Sequence, residues 1–153
     1  MGVGVQSWSG SASLPDGVGI AETDAWAVDF QAQGAVGEKP LGVYVSHANA
    51  AATAAGSARR NLFNANPRDR SATAIVGQLG VIPGKGTLLL SYRKGDNGRL
   101  VNYSDNAVMI GGTYLVWPNV QLQLNHTEYS GSAYRGTPVN GTRMTTLMLY
   151  TAF

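Results

Sequence analysis

Apolar and polar residues alternate with a period of two through most of this chain, and the apolar side of the alternating runs carries no charge in its middle. The clearest run is Val120-Gln121-Leu122-Gln123-Leu124-Asn125-His126-Thr127, with Val, Leu, Leu and His on one side and Gln, Gln, Asn and Thr on the other. Trp26 to Gln33 repeats it, setting Trp26, Val28, Phe30 and Ala32 against Ala27, Asp29, Gln31 and Gln33. Leu41, Val43 and Val45 face away from Gly42, Tyr44 and Ser46. Alternation of this kind belongs to β-strands with one face in an apolar medium. Helical periodicity is scarce, so the chain is expected to be all-β.

The pattern predicts eight strands, at 3–13, 25–36, 41–49, 71–82, 86–94, 105–117, 120–129 and 142–153. Their connections alternate in length. Gly37-Glu38-Lys39-Pro40, Pro83-Gly84-Lys85 and Pro118-Asn119 are short and rich in turn residues. Segments 14–24, 50–70, 95–104 and 130–141 are long. In an antiparallel meander, alternate connections lie at the same end, so one end carries tight turns and the other long loops. Outer-membrane barrels share this asymmetry.

Charged residues make up 13% of the chain, about half of what a soluble domain carries. Asp16, Glu22, Asp24, Glu38, Asp69 and Asp96 fall in connections, as do Lys39, Arg59, Arg60, Arg68, Arg70, Lys85, Arg99 and Arg135. Arg93, Lys94, Asp105, Glu128 and Arg143 lie close to the long-loop ends of strands. Asp29 alone sits in mid-strand, on the side of Gln31 and Gln33. A charge facing lipid at mid-depth costs about 2–4 kcal/mol, which accounts for the bare apolar side. No run of about 20 apolar residues exists for a spanning helix; Ala107 to Trp117 is the longest mostly apolar stretch. The start Met1-Gly2-Val3-Gly4 has no secretory-signal character. The 153 residues suit a single barrel domain, and the absence of cysteine removes disulfides and thiolate metal sites.

The final run, Arg143 to Phe153, resembles the closing strand of Gram-negative outer-membrane β-barrels, which ends in Phe after alternating apolar residues. Asp105-Asn106-Ala107-Val108 and Asn119 to His126 are similar to the last strands of general porins, and also to the porin part of fused cytochrome–porin iron oxidases. The haem motif of that second family is absent here. The resemblance implies an antiparallel, up-and-down transmembrane barrel in the bacterial outer membrane. It also implies that Leu147, Leu149, Tyr150 and Phe153 form the signal read by the barrel-assembly machinery. Whether the eight strands close alone or form half of a larger barrel stays open at this stage.

The inward set expected from parity is Asp29, Gln31, Gln33, Tyr44, Ser46, Gln78, Ser91, Arg93, Thr113, Gln121, Gln123, Asn125 and Thr127. These residues are mostly short and neutral, and they are read as pore-lining. Trp26 and Tyr92 toward the loops, and Trp117 and Phe153 toward the turns, suit two interfacial belts. Arg59, Arg60, Arg68 and Arg70 concentrate positive charge in one long loop, where they would favour anions at the mouth or stay solvated. His47 and His126 continue apolar faces without a placed Ser partner, so they read as neutral interfacial imidazoles and not as catalytic or metal-binding groups. No enzyme activity, cofactor or nucleic-acid partner is expected. The expected partners are the lipid bilayer, the assembly machinery, small solutes, and either further barrel strands or a second copy. The expected function is passive diffusion of small hydrophilic solutes. Its rivals are a structural barrel that anchors or sheathes a redox or secretion partner, and a soluble ligand-binding barrel.

Overall fold

The computed structural model describes residues 2–14, 19–54, 56–138 and 141–151. The chain is all-β. Its strands are β1 (Gly2–Ser13), β2 (Ile20–Val36), β3 (Lys39–Ala50), β4 (Arg59–Asn61), β5 (Arg70–Ile82), β6 (Gly86–Asn97), β7 (Ser104–Trp117), β8 (Val120–Ser130) and β9 (Arg143–Thr151). One sheet holds them in the order β1-β2-β3-β5-β6-β7-β8-β9, every neighbouring pair antiparallel. This is the up-and-down arrangement expected from the alternation of connections.

The sheet is open. Among the described residues β1 hydrogen-bonds only to β2, and β9 only to β8. The strands therefore do not close into a barrel on their own, and the outer edges of β1 and β9 keep unpaired backbone groups. Three further departures from the expected strands have local causes. β2 begins at Ile20 and not at 25, because β1 continues alongside it as far as Ser13. β4 lies within the long 50–70 connection and pairs parallel with Ile20–Glu22, filling the place beside β2 that β3 vacates after Ala50. A single 3-10 turn, Ser132–Tyr134, caps β7. Such short pieces leave no periodic signal.

Tight turns are set by chain chemistry. Gly37 (φ +62°) and Gly84 (φ +65°) take the left-handed backbone conformation that side chains disfavour. Pro118-Asn119 joins β7 to β8 directly after the Trp117–Val120 pair.

Cross-strand register sorts side chains into two faces. On one, Phe30, Val45, Ile75, Tyr92 and Val108 form a continuous row, with Ala32, Val43, Gly77, Leu90 and Ile110 beside it. On the other, Asp29, Ser46, Ala74, Arg93, Ala107 and Tyr129 form a row. The first face is outward: Leu90 is 57% exposed, Ile110 53%, Leu124 53% and Leu147 70%. The second curls inward. Ala25, Ala50, Ala107 and Thr127 are buried there, all at or below 8% exposure. One cavity of about 270 Å³ near the tight turns gathers Pro40, Gly80, Thr87, Thr113 and Gln121 from five strands, which only a curled sheet brings together. Among the described residues no second layer packs on the outer face, and the buried apolar residues are three alanines.

Candidate functional site

Four adjoining rows build the inner face. Asp29, Ser46 and Arg93 share the first. Gln31, Tyr44, Ser91 and Thr127 share the second, with Val76, Met109 and Met144 between and beside them. Gln33, Gln78 and Asn125 share the third, with Leu89 and Gly111. Thr113 and Gln123 share the fourth, with Met148, and Gln121 follows beside Leu115 and Tyr150. The register thus gathers every residue of the expected inward set on one face. Parity is a backbone property, so it survives any doubt about strand ends. The apolar members of the same face, Val76, Leu89, Met109, Leu115, Met144 and Met148, break the polar alternation locally.

Small residues let the inner side curl. A Cβ placed at Gly111 would overlap Asn125 Oδ1 and stand 2.8 Å from the Leu124 carbonyl oxygen; one at Gly4 would overlap Asp29 Oδ2. Asn125 Oδ1, pressed against Gly111, has no hydrogen-bond partner. Thr87 and Thr113 hydroxyls meet at 2.6 Å across β6 and β7.

The loop end carries the charge pairs. Arg93 binds Asp105 at 2.5 Å, and the Tyr134 hydroxyl donates to the same Asp105 Oδ1 at 2.8 Å. Burial, and then this bond to a carboxylate, push the Tyr134 phenol above its ordinary value. The four expected loop arginines do not act as one cluster. Arg59 pairs with Glu22 at 2.7 Å. Arg68 reaches Asp96 at 3.7 Å and stands 4.7 Å over the Tyr103 ring. Arg60 borders a separate hollow inside the loop, and Arg70 opens β5 on the inner face.

That loop is held by asparagines. Asn61 Nδ2 donates to the carbonyls of Asp24 (2.7 Å) and Ala51 (2.8 Å), while its Oδ1 accepts from the Phe63 N–H at 3.1 Å. Asn64 Nδ2 donates to the Arg68 carbonyl at 2.8 Å, and Asn66 Nδ2 to the Asn97 carbonyl at 2.7 Å. Asn61 and Asn64 are 5% and 2% exposed. Read from sequence, the segment is a flexible charged loop. The signal that marks it otherwise is Asn at 61, 64 and 66, since Asn side chains bond backbone groups nearby. Its fold brings Phe63 against Trp8, ring centres 5.6 Å apart, over the inner face of β2, β3 and β5.

His47 and His126 both lie on the outer face. Each meets the threonine directly opposite, Thr73 and Thr145, at 2.8 Å through Nδ1. His126 also stands 3.8 Å from Glu128, which Arg143 contacts at 3.1 Å. Among the described residues no group of three or more acidic or histidine side chains converges for a metal. Leu147 and Leu149 of the expected assembly signal face outward and Tyr150 inward; Phe153 lies outside the described residues. Trp26, Tyr92 and Trp117 are exposed, the first two on the outer face. No helix among the described residues is long and apolar enough to cross a membrane. No protein-family description, curated protein or solved structure matches the chain.

Proposed function

We propose that this sheet is wall of a β-barrel in the outer membrane of a Gram-negative bacterium. Its outer face meets lipid, and its inner face lines a water-filled path for small hydrophilic solutes. One observation carries the reading: an exposed apolar face runs across the sheet, uncharged in the middle of the strands, with no second layer among the described residues to cover it. Each leucine or isoleucine left in water forgoes about 1.5–3 kcal/mol. Contact with acyl chains returns that energy, and exposed patches so large mark interaction surfaces. A soluble ligand-binding barrel would place its charges on this face and its apolar residues inside, the reverse of the distribution found.

Lipid also forbids free sheet edges, because an unsatisfied backbone group costs several kcal/mol there. The edges of β1 and β9 must therefore pair. The eight long strands alternate in direction, so β1 and β9 run opposite ways, and an even number of added strands completes an antiparallel wall. On β1 to β3 the inner face is mostly glycine and alanine, among them Gly2, Gly4, Gly10, Ala25, Ala27, Gly42, Ala48 and Ala50, which would underfill that side of a self-closed eight-stranded interior and so favour a wider barrel. Further strands of a larger barrel or a second copy would supply the rest. β9 would act as the strand recognised by the barrel-assembly machinery.

Val76, Leu89, Met109, Leu115, Met144 and Met148 on the inner face favour a second reading, a structural barrel that holds or sheathes a partner. Conductance separates the two. The chain refolded in detergent and placed in planar bilayers should pass ions if it lines a pore, and should stay silent in the sheath reading. A folded, monodisperse sample in plain buffer without detergent would sink both.

A further inference from the structure

We propose that the folded loop and the inner face of β2, β3 and β5 form a binding slot for a small aromatic carboxylate. The slot has a volume of about 310 Å³, at the lower end of the range of small-molecule sites. Its floor is the methyl groups of Ala25, Ala48, Ala50 and Ala72, which leave a smooth surface with nothing to donate or accept. Trp8 and Phe63 form one wall, the second ring held in place by the Phe63 N–H bond to buried Asn61. Asn49 and Ser71 border the slot, yet their parity with Trp26 directs their side chains to the outer face. Arg70 is thus the one charged side chain bordering the inner side, and the Trp8 indole N–H is the one further donor among the lining residues.

Its guanidinium is uncommitted. Among the described residues Arg70 has no ion pair and no side-chain hydrogen bond. The two acids that border a hollow together with Arg70 are engaged, Asp105 by Arg93 and Asp96 by Arg68, and the preceding Asp69 accepts from the Ala52 N–H. A flat apolar floor, an aromatic wall and a single free cation match a planar ring with one anionic group. A sugar finds too few polar partners here, because each ring hydroxyl it buries needs its own. A neutral ring leaves the guanidinium unused. This slot depends on the sheet and loop alone, so an absence of conduction leaves it standing.

The experiment is calorimetry on the full folded chain in detergent, titrated with benzoate, benzamide and maltose against micelle blanks. Benzoate should bind roughly tenfold more tightly than its neutral isostere benzamide, and maltose should give no heat. Arg70→Gln should erase the benzoate preference, Arg70→Lys should retain most of it, and Phe63→Ala should weaken both aromatic ligands. Circular dichroism of each variant verifies that the sheet persists. Equal affinity for benzoate and benzamide overturns the assignment, as does a preference that survives Arg70→Gln, tighter binding of maltose, or no binding by the folded chain.

Discussion

The two faces of this sheet are made by the same strands, yet they solve opposite problems. The outer face presents large apolar side chains that nothing covers: Leu90, Ile110, Leu124 and Leu147 are all more than half exposed. The inner face carries most of the small and polar residues of the strands, interrupted by Val76, Leu89, Met109, Leu115, Met144 and Met148, and it buries Ala25, Ala50, Ala107 and Thr127. In a soluble protein the bulky side would be the buried one. Here the sheet curls the other way, because bulk fits on the wide outside of a curved sheet and small residues fit within. Curvature and polarity together suit a medium that is apolar outside and aqueous inside.

Charge should break this symmetry most strongly. Ile110→Arg on the outer face is expected to cost about 2–4 kcal/mol in lipid vesicles, and the neighbouring inner Met109→Arg less than about 1 kcal/mol. Urea unfolding of the two variants side by side measures the difference; equal costs would mean that lipid does not contact the outer face. Crowding gives the next largest effect. Gly111→Ala forces a methyl against the Leu124 carbonyl and Asn125, so a loss of about 1–3 kcal/mol is expected. Gly77→Ala on the outer face meets nothing closer than the Leu90 carbonyl oxygen at 4.0 Å and should be neutral or slightly stabilising.

Thiol labelling sharpens the same contrast without a large energetic cost. Cysteine at Gln31 or Gln123 should react readily with a small hydrophilic reagent, whereas cysteine at Phe30 or Leu122 should be shielded in vesicles. The native chain has no cysteine to confuse the signal. Fast labelling at the outer positions and slow labelling at the inner ones would invert the faces.

The smallest expected effect lies at the inner mouth. Tyr134 donates to Asp105, and its phenol is raised above the ordinary 10.0. A raised phenol favours the folded state fully below the unfolded value, and that support is lost as pH climbs through the folded value. The hydrogen bond itself contributes about 1 kcal/mol. Tyr134→Phe should therefore lower stability slightly at about pH 8 and narrow the drop that the native chain shows toward about pH 11.

Most of the strand pattern was legible in the chain because alternation and turn chemistry are local. Residues such as Gln123 and Leu122 declare their faces by parity, and Gly37 and Gly84 mark the turns they form. What escaped the reading shares one cause. β4 is three residues long and exists only because β2 outruns β3 at Ala50. Arg59, Arg60, Arg68 and Arg70 look alike in sequence, yet Glu22 and Asp96, distant along the chain, engage two of them. The slot beneath Phe63 joins residues from positions 8 to 72, so no window of sequence contains it.

The sequence by itself determined an all-β chain with one uncharged apolar face, tight turns at one end and long loops at the other. Side-chain period, turn propensity and the cost of charge in an apolar medium act over a few residues, so they are written locally. Only the tertiary structure decided that, among the described residues, the sheet stays open between β1 and β9, Asn61 and Asn64 lock a loop over its inner face, and Arg70 is left unpaired there. Those outcomes depend on strand curvature and on contacts between distant segments, whose free energy is set by the assembled register and not by any residue's immediate neighbours.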